Sequence, residues 1–122
     1  MIIQRVLVVD DEPDIRELLR IFFEQRGFSV AVAVDGHAGV ELARRRRPDV
    51  ILMDIMMPRK DGITALHELR ADSRLDHTTI IALTARPYMV DELFRAGFDD
   101  VCSKPIDLEE LWTMTTRRGR TQ

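Results

Sequence analysis

The sequence predicts an α/β domain, with five parallel strands in one sheet wound on both faces by five helices. Three observations predict it. Short apolar runs recur five times, at residues 5–9, 29–33, 50–53, 79–83 and 101–103. Most are continuous rather than alternating, as in parallel strands covered on both faces. Helical patterns follow each of them, and strands that alternate with helices pair in parallel through right-handed crossovers.

The elements follow in order. The first run, Arg5 to Val9, leads directly into Asp10, Asp11 and Glu12. After Pro13, suited to a first helical turn, come Ile15, Leu18, Leu19, Phe22 and Phe23. Their spacing is the inward stripe of an amphipathic helix, closed by Gly27. The second run alternates Ser29, Ala31 and Ala33 with Val30, Val32 and Val34, the pattern of an edge strand. A second helix is predicted from Gly36 to Arg46, with Val40 and Ala43 inward and Pro48 ending it. The strand at 50–53 delivers Asp54, and a third helix runs from Gly62 to Ala71 through Ile63, Leu66 and Leu69. The fourth strand leads into Thr84, and the fourth helix spans Val90 to Ala96 and stops at Gly97. The fifth strand ends at Ser103 and Lys104, and Asp107 caps the last helix before Leu108, Leu111 and Trp112. One domain is expected over residues 1–118, with 119–122 as a frayed tail.

Composition narrows the function classes. The chain has 122 residues, is 32% charged and 45% hydrophobic, and carries a net charge of −3. That describes a globular chain with no overall nucleic-acid-binding charge. Arg44 to Arg47 reads as the cationic end of the second helix, favourable for its dipole, rather than as a nucleic-acid patch. Cys102 is the single cysteine, so an internal disulfide is excluded, and it is expected to pack as a small core hydrophobe. No apolar run approaches the ~18 residues of a membrane span, and the first residues lack the features of a signal peptide. A cytoplasmic location without membrane association is the expectation. His37, His67 and His77 show no ligand spacing and are expected at the surface.

In an open parallel α/β sheet, sites form beyond the carboxyl ends of the strands. That rule selects Asp10, Asp11, Asp54, Thr84, Ser103 and Lys104 by position. Asp10 and Asp11 taken alone would simply cap the first helix. Together with Asp54 they suit a hard divalent cation such as Mg²⁺, which binds through one or two carboxylates, waters and phosphate oxygens. Lys104 can hold a phosphoryl oxygen, Thr84 can donate a hydrogen bond to another, and one carboxylate can attack phosphorus.

The ordered motifs "VLVVDDEPD", "DVILMDIMMPRKDG", Thr84-Ala85, "AGFDD" and Ser103-Lys104-Pro105 resemble the receiver domain of two-component response regulators over nearly the whole chain. The resemblance implies a flavodoxin-like (βα)5 fold with strand order 2-1-3-4-5. It implies Asp54 as phosphoacceptor, and Asp10, Asp11, Asp54 and the Met56 carbonyl as Mg²⁺ ligands. It implies Thr84 as the hydroxyl that moves toward the phosphoryl group, Lys104 as the ion-paired lysine, and a cis Lys104-Pro105 bond. Pro58 and Gly62 would shape the loop after the acceptor. The implied partners are a histidine kinase or histidine phosphotransfer protein and an unidentified downstream protein, with no direct nucleic-acid contact. The implied chemistry is self-catalysed phosphorylation and dephosphorylation rather than turnover of a free substrate.

Two features depart from the family pattern. Val101 stands where an aromatic residue is usual, and the stretch from Thr84 to Gly97 is about two residues short. Tyr88, four residues past Thr84, is expected to replace that ring in part. Met56 and Arg86, each two residues past a site residue, are expected to flank the phosphoryl group and slow its hydrolysis, because Met56 cannot orient a water by hydrogen bonding. One rival function is a receiver-like interaction domain not controlled by phosphorylation. Another is an aspartyl-nucleophile phosphohydrolase, opposed by Met56 where a general acid is needed. A third is a flavin-binding domain, opposed by the phosphate-repelling acids after strand one. Because the chain leaves no stretch for an output domain, it is expected to be either a stand-alone receiver or part of a longer protein.

Overall fold

The computed structural model describes residues 5–120. Five strands form one parallel sheet: β1 (Arg5–Val9), β2 (Ser29–Ala33), β3 (Val50–Asp54), β4 (Thr79–Thr84) and β5 (Asp100–Ser103). Five helices alternate with them: α1 (Pro13–Glu24), α2 (Gly36–Arg46), α3 (Gly62–Arg70), α4 (Val90–Ala96) and α5 (Leu108–Arg120). The strand order is β2-β1-β3-β4-β5, the order that the motif set implied. Helix α5 continues through Arg120, past the boundary drawn at residue 118, while residues 121–122 of the expected tail lie outside the described residues.

Strand periodicity decides which helices cover which face. Leu7, Val9, Ile51, Met53, Ile80 and Ala82 point to one side and pack with α2, α3 and α4 through Val40, Leu66, Leu69 and Leu93. Val6, Val8, Val50, Leu52, Ile81 and Leu83 point to the other and pack with α1 and α5 through Leu19, Phe23 and Leu111. Both faces of β1, β3 and β4 are therefore dry, which is why these runs carry no polar alternation. Strand β2 pairs with β1 alone, and its exposed Val32 is the edge-strand pattern in three dimensions. Cys102 is buried in the second layer, and burial pushes its thiol up to about 11.

Helix α1 corrects one expectation. The spacing puts Leu18 on the inward stripe, yet it is 44% exposed. The helix rests on the sheet through Leu19 and Phe23, with Ile15 and Phe22 half-buried, so the apolar stripe is wider than the contact it makes. Gly27 closes α1 at φ 90°, where Phe28 donates its N–H to the Phe23 carbonyl and a β-carbon would be strained. Near the start of α5, Phe22, Phe23 and Phe28 gather around Trp112, and the Arg26 guanidinium lies 3.7 Å from the Phe22 ring centre. The basic end of α2 is a capped helix terminus: Arg5 donates to the Arg46 carbonyl at 2.6 Å, and Arg44 pairs with Asp72. The three histidines are exposed, as expected.

Candidate functional site

The sheet order places a switch point between β1 and β3, whose following connections leave toward opposite faces. A crevice at such a point is where an open α/β sheet holds ligands. Asp10 leaves the tip of β1 and Asp54 ends β3, side by side because Val9 is in register with Met53. Asp10, Asp11 and Asp54 each offer a carboxylate oxygen, and these oxygens lie within 4.8 Å of one another.

The acids do not cap the first helix. The N-cap residue of α1 is Glu12, which makes no side-chain cap. Asp10 is turned into the pocket instead, fully buried, with its Oδ1 accepting from the Glu12 N–H at 2.9 Å. Its backbone N–H donates to the Ala33 carbonyl, which extends the β1–β2 pairing by one residue. Asp54 is nearly as buried, and its nearest donors are distant: the Met56 N–H at 3.4 Å and the Lys104 ammonium at 3.4 Å.

Lys104 reaches the pocket from the end of β5. Its Nζ lies 3.1 Å from Asp10, 3.4 Å from Glu12 and 3.4 Å from Asp54. The Lys104–Pro105 peptide is cis, and the Lys104 N–H donates to the Thr84 carbonyl at 2.7 Å. Thr84 is buried, and its hydroxyl oxygen accepts from the Arg86 N–H at 3.0 Å. Every side chain that the positional rule selected is thus on one rim. The contact that sequence reasoning missed is Glu12 on Lys104, because an exposed acid three residues before a helix stripe carries no distinguishing signal.

Charge and burial set the protonation of this cluster. Burial raises the Asp54 pKa to about 7, helped by the adjacent Asp10 charge and opposed by Lys104. Asp10 is also raised by burial, against the Glu12 N–H and Lys104 that favour its charged form. Burial works to lower the Lys104 pKa, but the Asp54 and Asp10 carboxylates outweigh it and hold the ammonium charged. Three carboxylates share one ammonium, so the pocket has unmet negative charge. Oxygen ligands of an octahedral Mg²⁺ stand roughly 3–4 Å apart, close to the spacing of this oxygen set, so the residues fit such an ion.

The loop after β3 is held tightly. A β-carbon on Gly62 would meet the Asp54 carbonyl at 2.6 Å, so the start of α3 lies directly against the strand end. Asp35, buried at the start of α2, caps that helix through the Ala38 N–H and pairs with Arg59 at 3.4 Å. Met57 is buried beneath this loop, whereas the Met56 side chain is 48% exposed at the rim. The β4–α4 segment is compact: a single 3-10 turn over Pro87–Met89 precedes the seven-residue α4. Val101 is buried against this layer. Tyr88 does not occupy the ring position beside Val101; its side chain is 77% exposed, with its hydroxyl accepting from Arg86 at 3.3 Å.

An acidic, lysine-bearing pocket at the carboxyl rim of a doubly wound parallel sheet defines a class of α/β domains suited to a divalent cation and a phosphoryl group. The chain belongs to the response regulator receiver domain family, whose sequence model matches residues 6–116. It is 40% identical over 109 residues to the DNA-binding dual master transcriptional regulator RpaA of a Synechocystis strain, covering 88% of this chain and 45% of that protein. It is 41% identical over 119 residues to the DNA-binding response regulator MtrA of Mycolicibacterium smegmatis, covering 96% and 51%. The chain therefore spans about half the length of these curated relatives. Among solved structures, the receiver domain of the sensor histidine kinase PA1611 of Pseudomonas aeruginosa superposes with a TM-score of 0.86 at 34% identity, covering 93% of this chain and 95% of that one. That domain has a magnesium ion coordinated in its active site cleft. The chemotaxis protein CheY4 of Vibrio cholerae superposes with a TM-score of 0.86 at 29% identity, covering 96% and 98%. Among the described residues, no helix is long and apolar enough to cross a membrane.

Proposed function

We propose that this receiver domain accepts a phosphoryl group on Asp54 from a histidine kinase or histidine phosphotransfer protein. The observation that carries the reading is the convergence of Asp10, Asp11 and Asp54 within 4.8 Å, with Lys104 against two of them. Asp10, Asp11, Asp54 and the Met56 carbonyl would hold Mg²⁺. When bound, the ion neutralises charge on the phosphoryl oxygens.

The chain's own residues do the rest. An Asp54 carboxylate oxygen attacks phosphorus, the bond from phosphorus to the donor imidazole nitrogen breaks, and the imidazole is reprotonated from solvent. Lys104, already 3.4 Å from Asp54, is placed to hold an oxygen of the transferred group. The Thr84 hydroxyl, which donates to the Arg86 carbonyl at 3.5 Å, must leave that acceptor to donate to another. Loss of the phosphoryl group reverses the bond at Asp54, with water as nucleophile. Both steps follow the logic of phosphoryl transfer, in which positioning and charge stabilisation dominate.

The test is intact mass after incubation with acetyl phosphate and Mg²⁺. Wild type is expected to gain one phosphoryl group, and Asp54→Asn none. An equal gain in both would remove Asp54 from the role, and no gain in wild type would favour the interaction domain that phosphorylation does not control.

The rim side chains bear on the lifetime of the product. Met56 and Arg86 are exposed beside Asp54 and Thr84, and neither the thioether nor the guanidinium can act as a base toward water. Met56→Asn is expected to speed hydrolysis of the phosphorylated form severalfold, read as loss of the phosphorylated mass with time. An unchanged rate would end this account of a slow hydrolysis. The relatives named as DNA-binding are about twice as long as this chain. Nucleic-acid contact of the whole protein would lie outside the receiver, whose net charge of −3 does not favour a polyanion.

A further inference from the structure

Arg16 is a side chain at the functional rim that the proposed chemistry does not use. It lies in the first turns of α1, half-buried, and its Nη1 donates to the Asp10 carbonyl at 2.8 Å. Its own N–H donates to the Glu12 carbonyl, so its backbone is fixed at the same junction. Helical side chains lean toward the N-terminus, which is what brings the guanidinium back over the β1–α1 turn. Glu12, Asp14 and Glu17 all lie within four residues of it, yet among the described residues Arg16 forms no ion pair, since the salt bridges at this junction belong to Lys104 and Arg20. A guanidinium that neglects neighbouring acids for a main-chain carbonyl is acting on backbone geometry rather than on charge.

The carbonyl it holds belongs to the peptide that joins Asp10 to Asp11. Asp10 itself is restrained from three other directions: the Ala33 carbonyl, the Glu12 N–H and Lys104. Asp11 is exposed, with its carboxylate turned toward Asp10 and Asp54, so the orientation of that peptide helps set where it points. We infer that Arg16 is a positioning residue for Mg²⁺ binding, which fixes the Asp10–Asp11 peptide and so aims Asp11 at the ion. The inference rests on the reading of the acid triad as the Mg²⁺ site.

The sign of the effect separates this role from simple electrostatics. A nearby positive charge repels a divalent cation, so removing Arg16 as a charge alone would tighten Mg²⁺ binding. Removing it as a positioning donor weakens binding, by about tenfold on the scale seen for groups that orient metal ligands. The experiment is a Mg²⁺ titration of the full chain without phosphodonor, followed by NMR through the Asp11 and Asp54 amide shifts. Arg16→Met keeps the apolar stem and loses both donor and charge, and Arg16→Lys keeps a donor of similar reach.

The expected result is about tenfold weaker binding in Arg16→Met, near-wild-type binding in Arg16→Lys, and closely similar urea midpoints for all three in EDTA. Tighter or unchanged binding in Arg16→Met, with wild type binding normally, would overturn the inference and leave the Mg²⁺ site intact. A shifted urea midpoint with unchanged affinity would show a structural role only and overturn it as well. Absence of Mg²⁺ binding in wild type would overturn the site and the inference together.

Discussion

Lys104→Met is expected to slow phosphoryl uptake from acetyl phosphate by roughly a hundredfold and to destabilise the metal-free fold by roughly 2 kcal/mol at pH 8. Both effects have one cause. The ammonium is the cation shared by Asp10 at 3.1 Å and Asp54 at 3.4 Å, and both carboxylates are buried. Removing it would withdraw the group proposed to stabilise charge on the transferred phosphoryl. It also leaves two buried acids without their counter-ion, a change that costs more than an exposed pair ever contributes.

The pH dependence of the Lys104→Met effect follows with a definite sign. Lys104 raises the stability of the charged acids, so its loss is felt only while those acids are ionised. As pH falls from 8 through 7, where Asp54 takes up its proton, toward 5, the stability gap between variant and wild type should narrow. Urea unfolding in EDTA across that range reads the gap, and mass after acetyl phosphate reads the uptake. A gap that widened on acidification would remove Lys104 from the role of counter-ion.

Asp54→Asn is expected to make the metal-free protein more stable than wild type, by roughly 2 kcal/mol at pH 8. The Asp54 carboxyl sits at about 7 because burial and the Asp10 charge disfavour its ionised form, against an ordinary value of 3.8. The folded state therefore binds more protons than the unfolded chain between those two values. Wild-type stability falls as pH rises through that window, and the full penalty is present above 7. Asn keeps the shape and cannot ionise, so the advantage of the variant should shrink to little near pH 4. Mg²⁺ is expected to raise the urea midpoint of wild type at pH 8 more than that of Asp54→Asn. Equal stability of the two proteins at pH 8 in EDTA would show that Asp54 is not strained by its surroundings.

Both predictions come from a pocket whose members were visible in the chain before any coordinates. Asp10, Asp54, Thr84 and Lys104 each follow a run of apolar residues, and the rule that parallel sheets bind at their carboxyl rim picked them out. Several helix boundaries were equally visible, since Pro13, Gly27 and Asp107 act locally through caps and turns. Leu18 and Tyr88 are exposed for a common reason. Period and spacing say that a side chain can face inward, but the neighbouring element decides whether anything is there to receive it. At Leu18 the contact of α1 ends short of the stripe, and at Tyr88 the turn over Pro87–Met89 leaves the ring in solvent.

By itself, then, the sequence determined the alternation of strands and helices, the dryness of the three central strands, and the set of acids and the lysine that stand at strand ends. Those properties are local, written in periods of two and 3.6 residues and in the residues that cap each element. The tertiary structure alone decided that Lys104 bridges Asp10, Glu12 and Asp54, that burial lifts Asp54 to about 7, and that Arg16 bends back onto the Asp10 carbonyl. Distances, desolvation and shared counter-ions depend on residues up to 94 positions apart in the chain, and only sheet order and register bring those together.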